Sequence, residues 1–414
     1  MSTFSRKSFD AVAYAASRPS YPPALFTHVL SSTLPSSPPA APRTLLDLGC
    51  GPGVSTFDWA PHLLPSHFNR VVGIDPSERM VTTARQILED KRNKGELGEA
   101  GEKGKVDWRF EVARSDDLQG VVEDASVDLA IAGQAAHWFD APATYKELAR
   151  VLKPGGAFAF WGYGEMFFPQ RPELTQLVPQ YSAGTLGPYW EQPGRSIVEA
   201  LLTPVPFPSS ASPLSAAAPI APQSSAAPVS AALKGHSAPS SSASAGEAAF
   251  DPKSFRRSFF LRPGGVPPPL AQAATQAPPQ ASPSSSNGSA APSPADHSRL
   301  PYRQRSSSSP PGPFDPSQHL EVNPSLLLTR SWTLTDLSAY LRTWSAAHTF
   351  NEQHASGSAK GGEEATGRVA TDCVEVFCKR LKAMGWGEGE RVEVAWEVGV
   401  MVGRKKGGEG EEEA

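Results

Sequence analysis

Two acids and three glycines are the residues best placed to do chemistry. In Thr44-Leu45-Leu46-Asp47-Leu48-Gly49-Cys50-Gly51-Pro52-Gly53 an apolar run carries a carboxylate at its end and opens into glycines at alternate positions. Glycine lets the backbone turn tightly and come close to a ligand with no Cβ in the way, so a flat or bulky molecule is expected on this loop. A second apolar run, Arg70-Val71-Val72-Gly73-Ile74, ends at Asp75. In open α/β sheets ligands sit outside the carboxyl ends of the strands, and an acid about 20 residues after a glycine loop is placed to accept hydrogen bonds from ribose hydroxyls. The spacing is G-x-G-x-G rather than G-x-G-x-x-G, which argues against a dehydrogenase that brings a helix N-terminus to a pyrophosphate.

Further along, the apolar run Ser126–Ala132 leads into Gly133-Gln134-Ala135-Ala136-His137-Trp138-Phe139-Asp140. The end of such a strand lies beside the glycine loop, so His137 and Trp138 are expected to face the reacting group. For a hydroxyl acceptor His137 is the natural general base. Equally, Trp138 and Phe139 can pack a sheet edge and His137 can cap a helix. Near the N-terminus Arg18 stands among Tyr14 and Tyr21. A guanidinium there can pair bidentately with the carboxylate of an acceptor or of a cofactor, or form an ordinary surface salt bridge. Trp332, Tyr340 and Trp344 recur near helical spacing and read as core, with Arg342 on another face as a solvated charge. The three cysteines, Cys50, Cys373 and Cys378, include no C-x-x-C pair, so neither a disulfide framework nor a structural zinc site is expected. The sequence offers no metal-ligand spacing and no nucleophile elbow.

Holding those groups requires strands and helices in alternation. From Arg43 to about Phe207 short apolar runs alternate with longer amphipathic stretches, the rhythm of a mainly parallel α/β sheet. Residues 1–42 read as a lead-in or lid, with a helix over Pro22–Leu30. Residues 208–319 turn to Ser, Ala, Pro and Gln, too poor in apolar surface to offset their ordering entropy, and are expected to be a disordered insertion. Within it Phe250–Leu261 is locally aromatic and basic, able to dock on the folded part. Residues 320–404 restore periodicity, with a strand over Ser325–Arg330, helices over Thr335–Ala347 and Asp372–Met384, and a strand over Arg391–Arg404 with one face buried. Residues 405–414 are a charged tail. Neither half closes a sheet alone, so one domain with a long insertion is expected, and removing Ser209 to Pro316 is expected to leave the fold intact.

Composition narrows the class. Among 414 residues, 38 Lys and Arg face 42 Asp and Glu, a net charge of −4 that offers no global attraction to nucleic acid or to an anionic membrane. Neither a signal-peptide core near Met1 nor a bilayer-length apolar run is read, so a cytoplasmic protein is expected. Nothing in these patterns fixes an oligomeric state.

The string DLGCGPG, followed by VVGIDPS and LKPGG, resembles the class I methyltransferases. The resemblance implies a Rossmann-like, mainly parallel seven-stranded sheet with helices on both faces, and S-adenosyl-L-methionine as cofactor. It implies that Asp47 and the loop residues Gly49, Cys50, Gly51 and Gly53 hold the methionine part and Asp75 the ribose. Pro76, Ser77 and Met80 match positions that flank the adenine, Ser115 and Asp116 (or Asp117) sit where an acid approaches the adenine amine, and Gln134 completes the cofactor set. HWFD with ELARVLKPGGAFAFWGYG, YAASRPSYP, SWTLTDLSAYLRTWSA and VMVGRKK resemble the small-molecule branch that includes trans-aconitate methyltransferases and related fungal enzymes. They imply methyl transfer to an oxygen, a carboxylate in particular, of a small molecule, with Tyr14, Arg18, Tyr21, His137 and Trp138 on the acceptor side. A cofactor-binding regulatory protein without turnover, or a protein or RNA methyltransferase, would share the same cofactor half.

Overall fold

The computed structural model describes residues 10–35, 37–208, 249–263, 265, 319–322, 327–356 and 372–407. Five strands alternate with helices as the sequence rhythm requires: β1 (Arg43–Leu48), β2 (Phe68–Asp75), β3 (Asp107–Val112), β4 (Val127–Gly133) and β5 (Leu152–Phe167). They lie in the order β3-β2-β1-β4-β5 and every neighbouring pair is parallel. Alternate side chains of one strand face opposite layers. Thus Leu45 enters one apolar cluster with Val71, Leu129 and Trp59, while Leu46 and Leu48 enter the other with Val72, Ile74 and Ala130. Both faces are covered, which is why these runs read as continuously apolar.

The rest of the chain completes this sheet. β9 (Val392–Lys405) runs antiparallel to β5, with Phe160 opposite Met401. On its other edge it pairs with β6 (Phe250–Phe260) and, further along, with β8 (Leu328–Trp332). β7 (His319–Val322) pairs with β6. Among the described residues the sheet therefore has nine strands rather than seven. The expected one-sided burial of the last strand is also corrected: Val394, Ala395, Trp396, Val398, Val400 and Met401 are all buried, because β9 is flanked on both edges and covered on both faces.

The main correction concerns residues 208–319. Phe250–Phe260 is an integral strand within that span, burying Phe250, Phe255, Phe259 and Phe260. The aromatic stretch expected to dock on the folded part does so as a strand, because large aromatic side chains bury enough area to hold one. Removing Ser209 to Pro316 would take β6 away, so that deletion is not neutral to the fold. Residues 209–248, 266–318 and 408–414, where the expectations of disorder and of a charged tail chiefly fall, lie outside the described residues.

Helix boundaries follow local chemistry. The helix expected over Pro22–Leu30 appears as Pro23–Thr33, with proline at its first position where no amide donor is needed. A shorter helix, Ala11–Ser17, precedes it and is capped by Asp10, whose Oδ1 accepts from Val12 N and Ala13 N. The stretch expected as one helix from Thr335 is two, Leu334–Arg342 and Ser345–Ser356, the first closed by a capping box between Thr333 and Asp336. Cys373–Ala383 is the last helix. Among the described residues no helix is long and apolar enough to cross a membrane.

Candidate active site

From β1 the chain proceeds outward to β2 and β3, and β4 and β5 build the opposite side. The carboxyl ends of β1 and β4 therefore frame a crevice at the topological switch point. The glycine loop crosses it. Gly49, Gly51 and Gly53 have φ of 69°, 56° and 88°, the left-handed region that disfavours side chains. A Cβ on Gly49 would come within 2.7 Å of Ala135 and one on Gly53 within 2.4 Å of Phe57, but one on Gly51 would meet nothing within 4 Å. The outer glycines are thus required by packing, and Gly51 leaves an open shelf of bare backbone. Cys50 turns inward and is buried in the core, so only its main chain is left for a ligand.

Under the loop Asp47 is fully buried. Its Oδ2 accepts a 2.6 Å hydrogen bond from Thr56 Oγ1, and its Oδ1 has no partner. Burial pushes the carboxyl up to about 7, with Thr56 pulling the other way. An unsatisfied buried acceptor costs about 1–3 kcal/mol, a cost that a cationic ligand group would remove. At the end of β2, Asp75 Oδ2 accepts from Gly51 N at 3.0 Å and Oδ1 from Ser77 N at 2.8 Å. Burial raises this carboxyl and the two amides restrain the rise. Each carboxylate oxygen retains further acceptor capacity, so Asp75 can fix the loop and still receive hydroxyl donors. An unpaired acid, a bare-backbone shelf and a second acid with spare lone pairs suit an amino-acid head, a flat body and a ribose.

The neighbouring candidates have partners of their own. Ser77 caps the helix Glu78–Asn93 by accepting from Met80 N at 3.4 Å. Met80 is buried against Ala11 and Tyr14 of the helix Ala11–Ser17, and Pro76 is exposed. Ser115 Oγ lies 3.0 Å from Thr144 Oγ1, and Asp116 is held by Arg114 through two 2.8 Å bonds that keep its carboxyl below the ordinary range. A larger cleft of about 280 Å³, lined by Leu30, Pro38, Arg43 and His67, lies at the start of β1 and β2, the opposite end of the sheet from Asp47 and Asp75.

A second cavity, of about 110 Å³, brings Tyr14, Arg18, Gln134, His137 and Trp138 together with Tyr163, Trp190, Tyr340 and Trp344. Arg18 Nη1 donates to Tyr163 Oη at 2.9 Å and Nη2 to Thr343 O at 3.2 Å, while its Nε has no partner. The guanidinium stacks over Tyr14 at 4.6 Å and Tyr340 at 5.4 Å, and among the described residues no carboxylate pairs with it. His137 Nδ1 also lacks a partner, and burial followed by the charge of Arg18 pushes its pKa down to about 3. The imidazole is therefore neutral at physiological pH. Trp138 stands 43% exposed at the mouth, its ring 4.8 Å from that of His137.

Two expected roles change. Gln134, with φ of 58°, lays its side-chain amide along β5, donating to Tyr163 O and accepting from Tyr163 N, both at 3.0 Å. Its side chain is an added rung that fixes Tyr163 rather than a free cofactor contact. Tyr21 is not in the cavity: it is buried edge-on against Trp161 at 5.7 Å, because its backbone is tied to Asp58 on the core side. Sequence reasoning passed over Tyr163, Trp190 and Arg195 and read Tyr340 and Trp344 as core, whereas the last two are both buried and cavity wall. The aromatic and charged run Tyr189-Trp190-Glu191 was the available signal. Arg342 pairs with Asp372 at the surface, as its helix face suggests.

Residues 46–160, which span β1 to β5, match the methyltransferase domain family. Over these residues the chain is similar to the methyltransferases. A probable S-adenosylmethionine-dependent methyltransferase of Saccharomyces cerevisiae is 28% identical over 198 residues, 47% of this chain and 60% of that protein. An uncharacterized methyltransferase of Mycobacterium tuberculosis is 34% identical over 144 residues, 35% of this chain and 46% of that one. A trans-aconitate 2-methyltransferase of Azoarcus is 36% identical over 119 residues, 28% and 37% of the two chains. The matches to the yeast, Dictyostelium and fission-yeast relatives span 49–60% of those proteins' lengths. S-adenosylmethionine is the cofactor of this domain, in keeping with the acids and the shelf around Gly51.

Proposed function

We propose that this methyltransferase moves a methyl group from S-adenosylmethionine to a carboxylate oxygen of a small molecule. The observation that carries the reading is Arg18, a permanently charged guanidinium facing a small aromatic cavity with no carboxylate beside it. S-adenosylmethionine, when bound, supplies an electrophilic methyl on a sulfonium. Asp47, with its unpaired oxygen, would take the amino group of the methionine part, Gly51 would lie under the body, and Asp75 would receive the ribose hydroxyls. Arg18 would hold and orient the acceptor.

A carboxylate is already ionised at neutral pH and needs no base, so proximity and alignment suffice. His137, pushed down to about 3, is a poor proton acceptor, which favours a carboxylate over a hydroxyl nucleophile. A cavity of about 110 Å³ favours a small acceptor over a polymer. The test is release of S-adenosylhomocysteine over paired carboxylic acids and hydroxyl compounds. Turnover on acids is the expected result, and turnover confined to hydroxyl compounds would refute the carboxylate assignment.

A further inference from the structure

Arg43, the first residue of β1, is 6% exposed, and among the described residues no carboxylate pairs with it. A guanidinium held out of water is ordinarily paired or fully hydrogen-bonded, because an uncompensated buried charge is costly. Arg257 on β6 shows how such a group is satisfied without an acid. It is 4% exposed, donates to Leu202 O at 2.9 Å and to Val205 O, and lies over the Phe207 ring at 4.6 Å, leaving only Nε without a partner. Arg43 is used far less. Its Nη1 donates to Ser66 O at 3.0 Å, and among the described residues no acceptor meets the rest of its guanidinium. Those nitrogens are not sealed in the core either, so they open on the cleft that Arg43 lines, about 280 Å³ in volume.

The walls of that cleft are one-sided in their chemistry. Ser37, Ser66 and His67 join Arg43, and none of the lining residues is acidic. Ser31 is already spent on His28 O at 2.9 Å, but the Ser37 and Ser66 hydroxyls make no hydrogen bond to protein among the described residues. Leu30, Leu34 and three prolines supply apolar wall. A guanidinium fork engages an oxyanion bidentately, and a phosphate brings a third oxygen, which a carboxylate lacks, for the neighbouring hydroxyls. A dry protein cavity of ~150 Å³ accommodates benzene, so about 280 Å³ has room for a phosphate group and one ring-sized apolar body. The cleft lies at the amino ends of β1 and β2, away from Asp47 and Asp75 further along the same strands.

We propose that this cleft is a second ligand site, separate from the methyl-transfer crevice, and that it takes a small phosphate monoester. The phosphate sits on Arg43, Ser37 and Ser66, and the apolar part lies against Leu30, Leu34 and the prolines. Because the two sites are at opposite ends of the sheet, the cleft fills whether or not the cofactor is bound.

The test is calorimetric titration of the full chain with phenyl phosphate, alone and in the presence of S-adenosylhomocysteine. One saturable site with Kd below about 1 mM is expected, unchanged by S-adenosylhomocysteine. Benzoate should bind at least about tenfold more weakly, on the scale of a lost charge-assisted bond. Arg43→Lys keeps the charge but loses the fork and should weaken phenyl phosphate about tenfold. Ser37→Asp, at an exposed residue, sets a like charge against the ligand and should weaken it about fivefold. Absence of saturable phenyl phosphate binding overturns the inference, as do displacement by S-adenosylhomocysteine, benzoate binding of equal strength, or full affinity in either variant. Failure to bind S-adenosylhomocysteine would strike the cofactor reading and leave the phenyl phosphate result standing.

Discussion

The two sides of the crevice are assembled differently. On the proposed cofactor side the groups lie in one stretch of chain, Asp47 to Asp75, and are positioned by backbone: strand ends, left-handed glycines, and amides of Gly51 and Ser77 that grip Asp75. On the proposed acceptor side Tyr14, Arg18, Gln134, His137, Tyr163, Trp190 and Tyr340 come from several separate segments of the chain and are positioned by one another's side chains. Gln134 pins Tyr163, Tyr163 accepts from Arg18, and Arg18 stacks on Tyr340. A backbone-built site tolerates change around it and fails only at its few acids. A side-chain-built site can be retuned one contact at a time, so specificity is expected to reside there.

Substitutions confined to one side test that division. The largest effect is expected from Asp75→Ala, which removes two charge-assisted amide bonds and the ribose acceptor together. Loss of roughly 100-fold in S-adenosylhomocysteine affinity, about 2.7 kcal/mol, is expected by calorimetry. Near-normal affinity would unseat Asp75. Next, Arg18→Gln should raise the acceptor KM by about tenfold or more, on the scale of a lost bond to a charged group, while cofactor affinity moves little. If instead cofactor affinity falls with it, Arg18 holds the methionine carboxylate and the division between the two sides is drawn in the wrong place.

A pH titration sharpens the cofactor side further. The folded carboxyl of Asp47, at about 7, lies above its ordinary 3.8. The native state keeps the proton over that window, so this group's contribution to stability is full below about 4 and is lost as pH rises towards 7. A ligand ammonium favours the ionised form, so S-adenosylhomocysteine affinity should climb about tenfold from pH 6 to 8 and level off above, with a flat profile in Asp47→Asn. A slope that persists in the variant would assign it to another group. The smallest effect is expected at His137: with its pKa depressed to about 3, His137→Gln should lower kcat less than tenfold, against the 10²–10⁴ of a lost general base. A drop of that larger size would restore the imidazole to proton transfer.

The same contrast explains what could be read in advance. The DLGCGPG loop, Asp75 and the alternation of strands with helices from β1 to β5 were legible because local spacing and apolar runs fix them. Ser77 and Ser115 looked like ligand contacts, and only coordinates reveal the helix cap and the Thr144 contact that occupy them. Tyr163 and Trp190 escaped because nothing nearby in sequence marks a residue whose partners lie far along the chain. β6 was marked as an aromatic stretch able to dock on the folded part, but its strand character escaped for a similar reason: its pairing partner, β9, is more than a hundred residues away. The single helix expected from Thr335 broke at Thr343, whose hydroxyl bonds Tyr340 O at 2.6 Å and whose carbonyl receives Arg18.

The most direct test of the central claim is calorimetric titration of the purified chain with S-adenosylhomocysteine. One saturable site per chain is the expected result, and the absence of binding would contradict the cofactor assignment on which both sides of the crevice depend.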